Sequence, residues 1–170
     1  GAKMKTETVK GFRDYSGEDA EKLAVIREVI RQVFERRNFE QVETPIVEYE
    51  EFVRGENSND EAISDIFKLQ DRGKRKLAWR YEFTFQLKRL ARNMKLPYKR
   101  FQIGPVFRDE PVQGNRLRQF TQCDIDVVGS TIKEEAEVLA AAKEILDALK
   151  IKSVIYVNNR KLLNEILEDL

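Results

Sequence analysis

Apolar residues at Leu23, Ile26, Ile30, Val33 and Phe34 recur at three- and four-residue intervals, the spacing of one face of an α-helix. Ser16 precedes the run as a candidate N-cap, and Glu18 and Asp19 put carboxylates in the first turn, where they complement the helix dipole. Asn38 is a suitable C-terminal break, so the pattern predicts a helix over residues 17–37. From Phe39 to Glu43 the period changes to two, until Pro45 interrupts it. A proline in a strand belongs at an edge, a bulge or an interface. Residues 55–64 are polar and predict a loop.

Two short apolar stretches, 66–69 and 76–80, flank Asp71-Arg72-Gly73-Lys74 and predict a β-hairpin. Thr84 is a candidate cap for a helix running to Asn93, with Leu87, Leu90 and Ala91 inward. Residues 100–108 read as a strand, 109–116 as a polar loop and 120–128 as the return strand, closed by Gly129. Thr131 caps a second long helix with Val138, Leu139, Ala142, Ile145, Leu146 and Leu149 inward. A short strand at 153–157 and a helix over 159–169 complete the pattern. Consecutive hairpins with helices packed on them predict an α+β fold, an antiparallel β-sheet flanked by helices.

Composition narrows the chemistry. Among 170 residues there are 31 Lys+Arg, 30 Asp+Glu, one Cys and no His. The missing His removes a Ser-His-Asp triad and His metal ligands from this chain. A single Cys removes an internal disulfide and suits a reducing compartment, so the expected location is cytoplasmic. A net charge of +1 argues against a strongly cationic nucleic-acid coat. No apolar run reaches the ~18 residues of a membrane span, and the N-terminus carries no signal-peptide pattern. Gly1-Ala2-Lys3 before Met4 reads as a cloning remnant, which leaves 4–170 as the folded part.

The densest polar signal lies between Arg108 and Asp126. On the return strand Phe120, Gln122, Asp124 and Asp126 share one face, while Cys123, Ile125 and Val127 share the other, which suits a core. Arginine's planar fork matches phosphate oxygens, and carboxylates match an amine or an imidazole N–H. The face is thus a site for a phosphorylated nucleotide beside a small amine-bearing ligand. A solvent-facing sheet surface laced with ion pairs accounts for the same residues. Arg80-Tyr81-Glu82-Phe83-Thr84 is a second cluster, which a strand end and a helix cap would also explain. Arg72 to Lys76 is most simply a solvated turn, and Cys123 a core residue with no His to activate it.

Taken in order, these motifs resemble the class II aminoacyl-tRNA synthetases of the histidyl type. Lys10-Gly11-Phe12-Arg13-Asp14 and the long helix into Thr44-Pro45 are similar to the entry and motif 1. Arg80 to Thr84 resembles the family's Arg-x-Glu-x-Thr segment, and Phe107 to Pro111 with Gln113 to Gln122 resembles motif 2. Asn158 to Leu163 matches the segment before the family's insertion domain. The resemblance implies ATP-dependent activation of histidine to histidyl-adenylate and its transfer to tRNA(His), with Mg²⁺ accompanying ATP and no metal ligand from the protein. It assigns Arg108 to the α-phosphate, Glu110 to the adenine amino group, Phe120 to stacking on adenine and Arg116 to the outer phosphates. It assigns Glu82, Thr84 and Gln122 to the α-amino group of histidine and Asp126 to the imidazole N–H. Pro45 and the helix before it would form a homodimer interface.

Two positions depart from the family: Trp79 stands where an aliphatic residue is usual, and Asp126 where members often carry Glu. The family's Arg-Gly-x-Asp-Tyr-Tyr segment, motif 3 and anticodon-binding domain find no counterpart in 130–170. The chain therefore reads as the N-terminal part of a catalytic domain, weakly active or inactive alone. Two alternatives stand beside it: a non-catalytic paralogue such as the histidine-sensing regulatory subunit of ATP phosphoribosyltransferase, and a dimerisation module.

Overall fold

The computed structural model describes residues 2–55 and 64–168. The first helix, α1 (Glu18–Arg36), buries Ile30, Val33 and Phe34. Its N-cap is Gly17, at φ +56°, with no side-chain cap bond. Ser16 is therefore not the cap: the chain enters through a left-handed residue, a conformation glycine adopts without a Cβ clash. Asn38 ends the helix region at φ +62°. Then follow β1 (Glu40–Gln41), β2 (Val47–Tyr49), α2 (Glu50–Arg54), β3 (Lys68–Gln70), β4 (Lys76–Trp79), α3 (Thr84–Ala91), β5 (Tyr98–Phe107), β6 (Gln119–Val128), α4 (Ile132–Ala148) and α5 (Arg160–Glu168).

Two three-stranded sheets form, in the orders β1-β5-β6 and β2-β4-β3. β5 and β6 pair antiparallel from Tyr98↔Val128 to Phe107↔Gln119. β1 pairs parallel to β5, with Glu40 opposite Arg100. Arg80 forms the seam between the sheets: its N–H donates to the Ile46 carbonyl at 2.8 Å, and its carbonyl accepts from Phe107 at 3.0 Å.

α1 and α4 cover one face of the β5–β6 hairpin. The core there is Ile30, Val33, Phe34, Phe39, Phe101 and Ala141, with Ile103, Ile125, Val127, Val138 and Ile145 packed against it. Phe34 meets Phe101 at a 5.3 Å ring separation, and burial of each such ring contributes about 1.5–3 kcal/mol. The opposite face of the hairpin is thereby left to Arg100, Gln102 and Gly104 on β5 and Phe120, Gln122, Asp124 and Asp126 on β6. α4 starts at Thr131, whose N–H donates to the Glu134 carboxylate at 2.8 Å in a capping box.

The α+β class and most elements agree with the sequence pattern, and several details differ. The strand foreseen at 39–43 contracts to Glu40–Gln41, and β2 and α2 had no counterpart in the pattern. Thr84 is the first helical residue rather than a cap. The N-cap is Phe83, and the Glu82 carboxylate accepts the Phe85 N–H at 3.1 Å. Leu139 on α4 is exposed, and the fully buried small residue is Ala141. Cys123 reaches the surface instead of the core. Packing around its sulfur, and then the Asp124 carboxylate, push the thiol up to about 12, so it stays protonated at neutral pH. Residues 153–157 form no strand, and Val154, Tyr156 and Val157 are exposed. Most of the loop foreseen at 55–64 lies outside the described residues.

Candidate functional site

Where β5 ends, the chain turns through Arg108–Glu110 and returns at Arg116–Arg118 into β6. A cavity of about 710 Å³ opens there, lined by Arg108, Glu110, Arg116 and Phe120 together with Arg13 and Arg27. The Arg108 guanidinium lies over the Tyr81 ring at 4.3 Å and the Phe120 ring at 5.2 Å. Two aromatic faces hold the cation without neutralising it, which leaves its fork for an anion. Arg116 and Arg13 are exposed and Glu110 is half-buried. The cavity thus combines several cations, one carboxylate and an aromatic face.

The N-terminal segment anchors this turn. The Gly11 carbonyl accepts from Arg118 N–H at 2.8 Å and Gln119 N–H at 3.2 Å. Gly11 sits at φ +85°, and a Cβ there would stand 2.5 Å from the Arg118 side chain, so the close approach requires glycine. Arg118 in turn donates from Nε to the Glu110 carbonyl at 2.9 Å. Phe12 extends the anchor, packing on Phe67 and Trp79, and Trp79 packs on Phe107 at 4.7 Å. The indole at position 79 is thus absorbed by an aromatic cluster.

A second cluster lies along the same face of β6. Gln122 is opposite Gly104, and a Cβ on Gly104 would come within 2.8 Å of an Arg80 nitrogen, so glycine makes room for the guanidinium. Arg80 is buried and donates to the Pro105 and Thr44 carbonyls at 2.7 and 2.8 Å. Burial pulls its pKa down, against the opposing pull of Glu43. Asp126 accepts from Arg100 at 2.6 Å, and the same Arg100 nitrogen reaches Asp124 at 3.3 Å. Burial and then the Asp124 carboxylate push Asp126 up to about 6, although Arg100 pulls the other way.

Behind this face runs a polar chain. Gln102 donates to Thr44 Oγ1 at 2.8 Å, and Thr44 bonds Gln86. Gln86, fully buried, donates to the Pro45 carbonyl at 2.9 Å and to Glu48 at 2.7 Å. Arg89 grips both Glu48 oxygens at 2.9 and 2.7 Å. Burial alone would raise Glu48, but the bonds from Arg89 and Gln86 hold its carboxyl below the usual range. Pro45, the expected interface residue, is thus fixed from the inside, while Ile46, Val47 and Tyr49 beside it are exposed.

A family profile described as histidyl-tRNA synthetase matches residues 11–170. The chain belongs to the histidyl-tRNA synthetase family. Histidine–tRNA ligase 1 of Bacillus cereus is 40% identical over 172 aligned residues, which cover 98% of this chain and 40% of the relative. Histidine–tRNA ligase of Wolinella succinogenes is 38% identical, covering 95% of this chain and 38% of the relative. The crystal structure of histidyl-tRNA synthetase from Nostoc sp. PCC 7120 superposes with a TM-score of 0.81 at 30% identity, over 96% of this chain and 39% of that one. The chain spans about 40% of the length of the curated relatives it matches.

Within this family, the hairpin and its turn carry most of the candidate site residues, in two groups. Arg108, Glu110, Arg116 and Phe120 line the large cavity. Gln122 and Asp126 lie further along the same face of β6, and Glu82 contributes to the field at Asp126. Thr84 is exposed at the start of α3, and the Glu82 carboxylate already serves the Phe85 N–H. Arg100 and Gln102 carry no role in the sequence reading. The period of two on β5, with Arg100, Gln102 and Gly104 alternating with Phe101 and Ile103, is the signal that could have found them.

Proposed function

We propose that this chain supplies the ATP- and histidine-binding surface of an enzyme that activates histidine to histidyl-adenylate and passes it to tRNA(His). The observation that carries this reading is the single polar face of β6. Phe120, Gln122 and Asp126 point the same way over six residue steps, a span of about 20 Å at the rise of an antiparallel strand. That is room for an adenine, a phosphate and an amino acid in line.

On this reading Phe120 stacks on the adenine and Glu110 accepts from its amino group. Arg108 holds the α-phosphate, where negative charge grows as the histidine carboxylate attacks and pyrophosphate leaves, and Arg116 meets the outer phosphates. A cation seated in advance between two rings stabilises that charge without reorganising. Glu82, Thr84 and Gln122 take the α-amino group and Asp126 the imidazole N–H, so positioning and charge do the work that needs no protein His. Mg²⁺, which binds chiefly phosphate oxygens, would enter with the nucleotide. The exposed apolar residues around Pro45 are the proposed homodimer surface, and the cytoplasm is the proposed location.

Calorimetry with ATP and with L-histidine tests the reading. The chain is expected to bind both, with weak histidine-dependent ATP–pyrophosphate exchange, and Arg108→Ala is expected to weaken ATP binding by at least tenfold while leaving histidine binding in place. Histidine binding with no ATP binding by the unaltered chain would point instead to the non-catalytic paralogue.

A further inference from the structure

Arg100 is fully buried, and the carboxylates it meets, Asp124 and Asp126, are only 25% and 31% exposed. A guanidinium without solvent needs its charge matched by excellent geometry. One nitrogen, Nη2, bridges both carboxylates, at 2.6 Å to Asp126 Oδ2 and 3.3 Å to Asp124 Oδ2. Arg100 engages Asp126 through Oδ2 alone. The strands need no such pin, because the ladder from Tyr98↔Val128 to Phe107↔Gln119 is continuous through these positions. The same face of β5 also carries buried polar atoms with no protein partner among the described residues: Tyr98 Oη, Arg100 Nε and Gln102 Oε1. Apolar residues at these positions would remove that cost, so the row is kept polar for a reason other than packing.

We propose that Arg100 is a positioning residue: from the neighbouring strand of the same face it orients the Asp126 carboxylate and keeps it ionised as the acceptor for the N–H of an imidazole-bearing amino acid. The proposal rests on the histidine reading above and adds to it the residue that sets the acceptor's charge. The groups facing Asp126 are few. Asp124 and Arg100 come from the sheet and Glu82 from the segment before α3. All but Arg100 are anions, so Arg100 is the counter-charge that favours ionised Asp126. Asp124 competes for the same nitrogen and opposes it.

Two variants separate aim from mere support. Arg100→Lys keeps the charge and loses the bridging fork; Asp124→Asn keeps the shape and leaves Nη2 to Asp126. The Asp126 carboxyl carbon is followed by NMR through a pH titration of the full chain, and L-histidine binding by calorimetry over the same range. The ligand's own imidazole titrates alike in every variant, so only differences between variants are read. In Arg100→Lys the Asp126 titration is expected to move to higher pH, with histidine binding weakened about tenfold at pH 7. In Asp124→Asn the titration is expected to move to lower pH, and the pH at which histidine binding is lost should move down with it. A purely structural Arg100 would lower the unfolding temperature and leave the Asp126 titration and the affinity of the folded chain unchanged; that result overturns the proposal. If Arg100→Lys fails to fold, an unmoved titration in Asp124→Asn overturns it alone. Absence of histidine binding by the unaltered chain overturns the histidine reading, and the carboxyl titrations still decide whether Arg100 governs Asp126.

Discussion

Two residues show how far a single side chain, or its absence, controls this site. Gly11 holds the turn between β5 and β6 through its carbonyl, at a positive φ and with no room for a Cβ. Gly11→Ala is expected to destabilise the chain by about 1–3 kcal/mol and to weaken ATP binding more than histidine binding, as read by urea unfolding and calorimetry. Asp126 behaves differently. Burial, then Asp124, push its carboxyl up to about 6, above the roughly 3.9 of an unfolded chain. Between these values the folded state holds the extra proton, so the stability Asp126 contributes is complete below pH 4 and is lost as pH rises through 6. Asp126→Asn should flatten the fall in unfolding free energy between pH 4 and 6. The proposed histidine binding through ionised Asp126 is expected to run the other way, rising over the same interval. Stability and recognition are therefore opposed at this residue.

Among elements, α4 and the β5–β6 hairpin show what the sequence pattern could and could not say. Thr131 marks the start of α4 in the sequence and forms a capping box with Glu134 in the fold; Glu134→Ala is expected to cost about 1 kcal/mol in denaturant unfolding. Ala141, fully buried where α4 meets the core with α1, stands next to Ala142, the residue the sequence pattern places inward, because a periodic pattern fixes a face only to within a neighbouring position. Ala141→Leu should overpack that contact by about 1–3 kcal/mol. The two-residue alternation of β6 made Gln122, Asp124 and Asp126 legible as one face. On β5 the same alternation was present, but Arg100 reads as a surface residue until its carboxylate partners across the ladder are known. Glu48 and Glu50 hid β2 and α2 likewise: their burial depends on Gln86, Arg89, Arg54 and Lys68, contacts that follow from the tertiary fold. Residues 153–157 show the converse, a strand-like composition with no strand beside it among the described residues. β-propensity describes a surface that fits a neighbour, and without the neighbour it has no effect.

For the whole molecule, the β1-β5-β6 sheet has β6 at one edge among the described residues, and exposed Val47 and Tyr49 lie on the other sheet with Ile46 beside them. An unpaired strand edge and an apolar patch both promote association. Sedimentation velocity is expected to show concentration-dependent self-association of the chain. Tyr49→Lys should reduce it if the Pro45 surface is responsible, and Thr121→Lys should reduce it if the β6 edge is. A concentration-independent monomer for the unaltered chain would remove the proposed homodimer surface from this chain.

The contact between Gly11 and Arg118 also bears on the order in which the chain acquires its shape. β5 and β6 are joined by a short connection, so their pairing closes a small loop and can form early. The clasp joins segments about a hundred residues apart, and such long-range closures come late and slowly. During synthesis the N-terminal segment emerges first and must wait, unanchored, until its partner leaves the ribosome. The cavity beside Arg108 is therefore among the last features to be completed, and a half-folded chain would present the hairpin without the proposed ATP site.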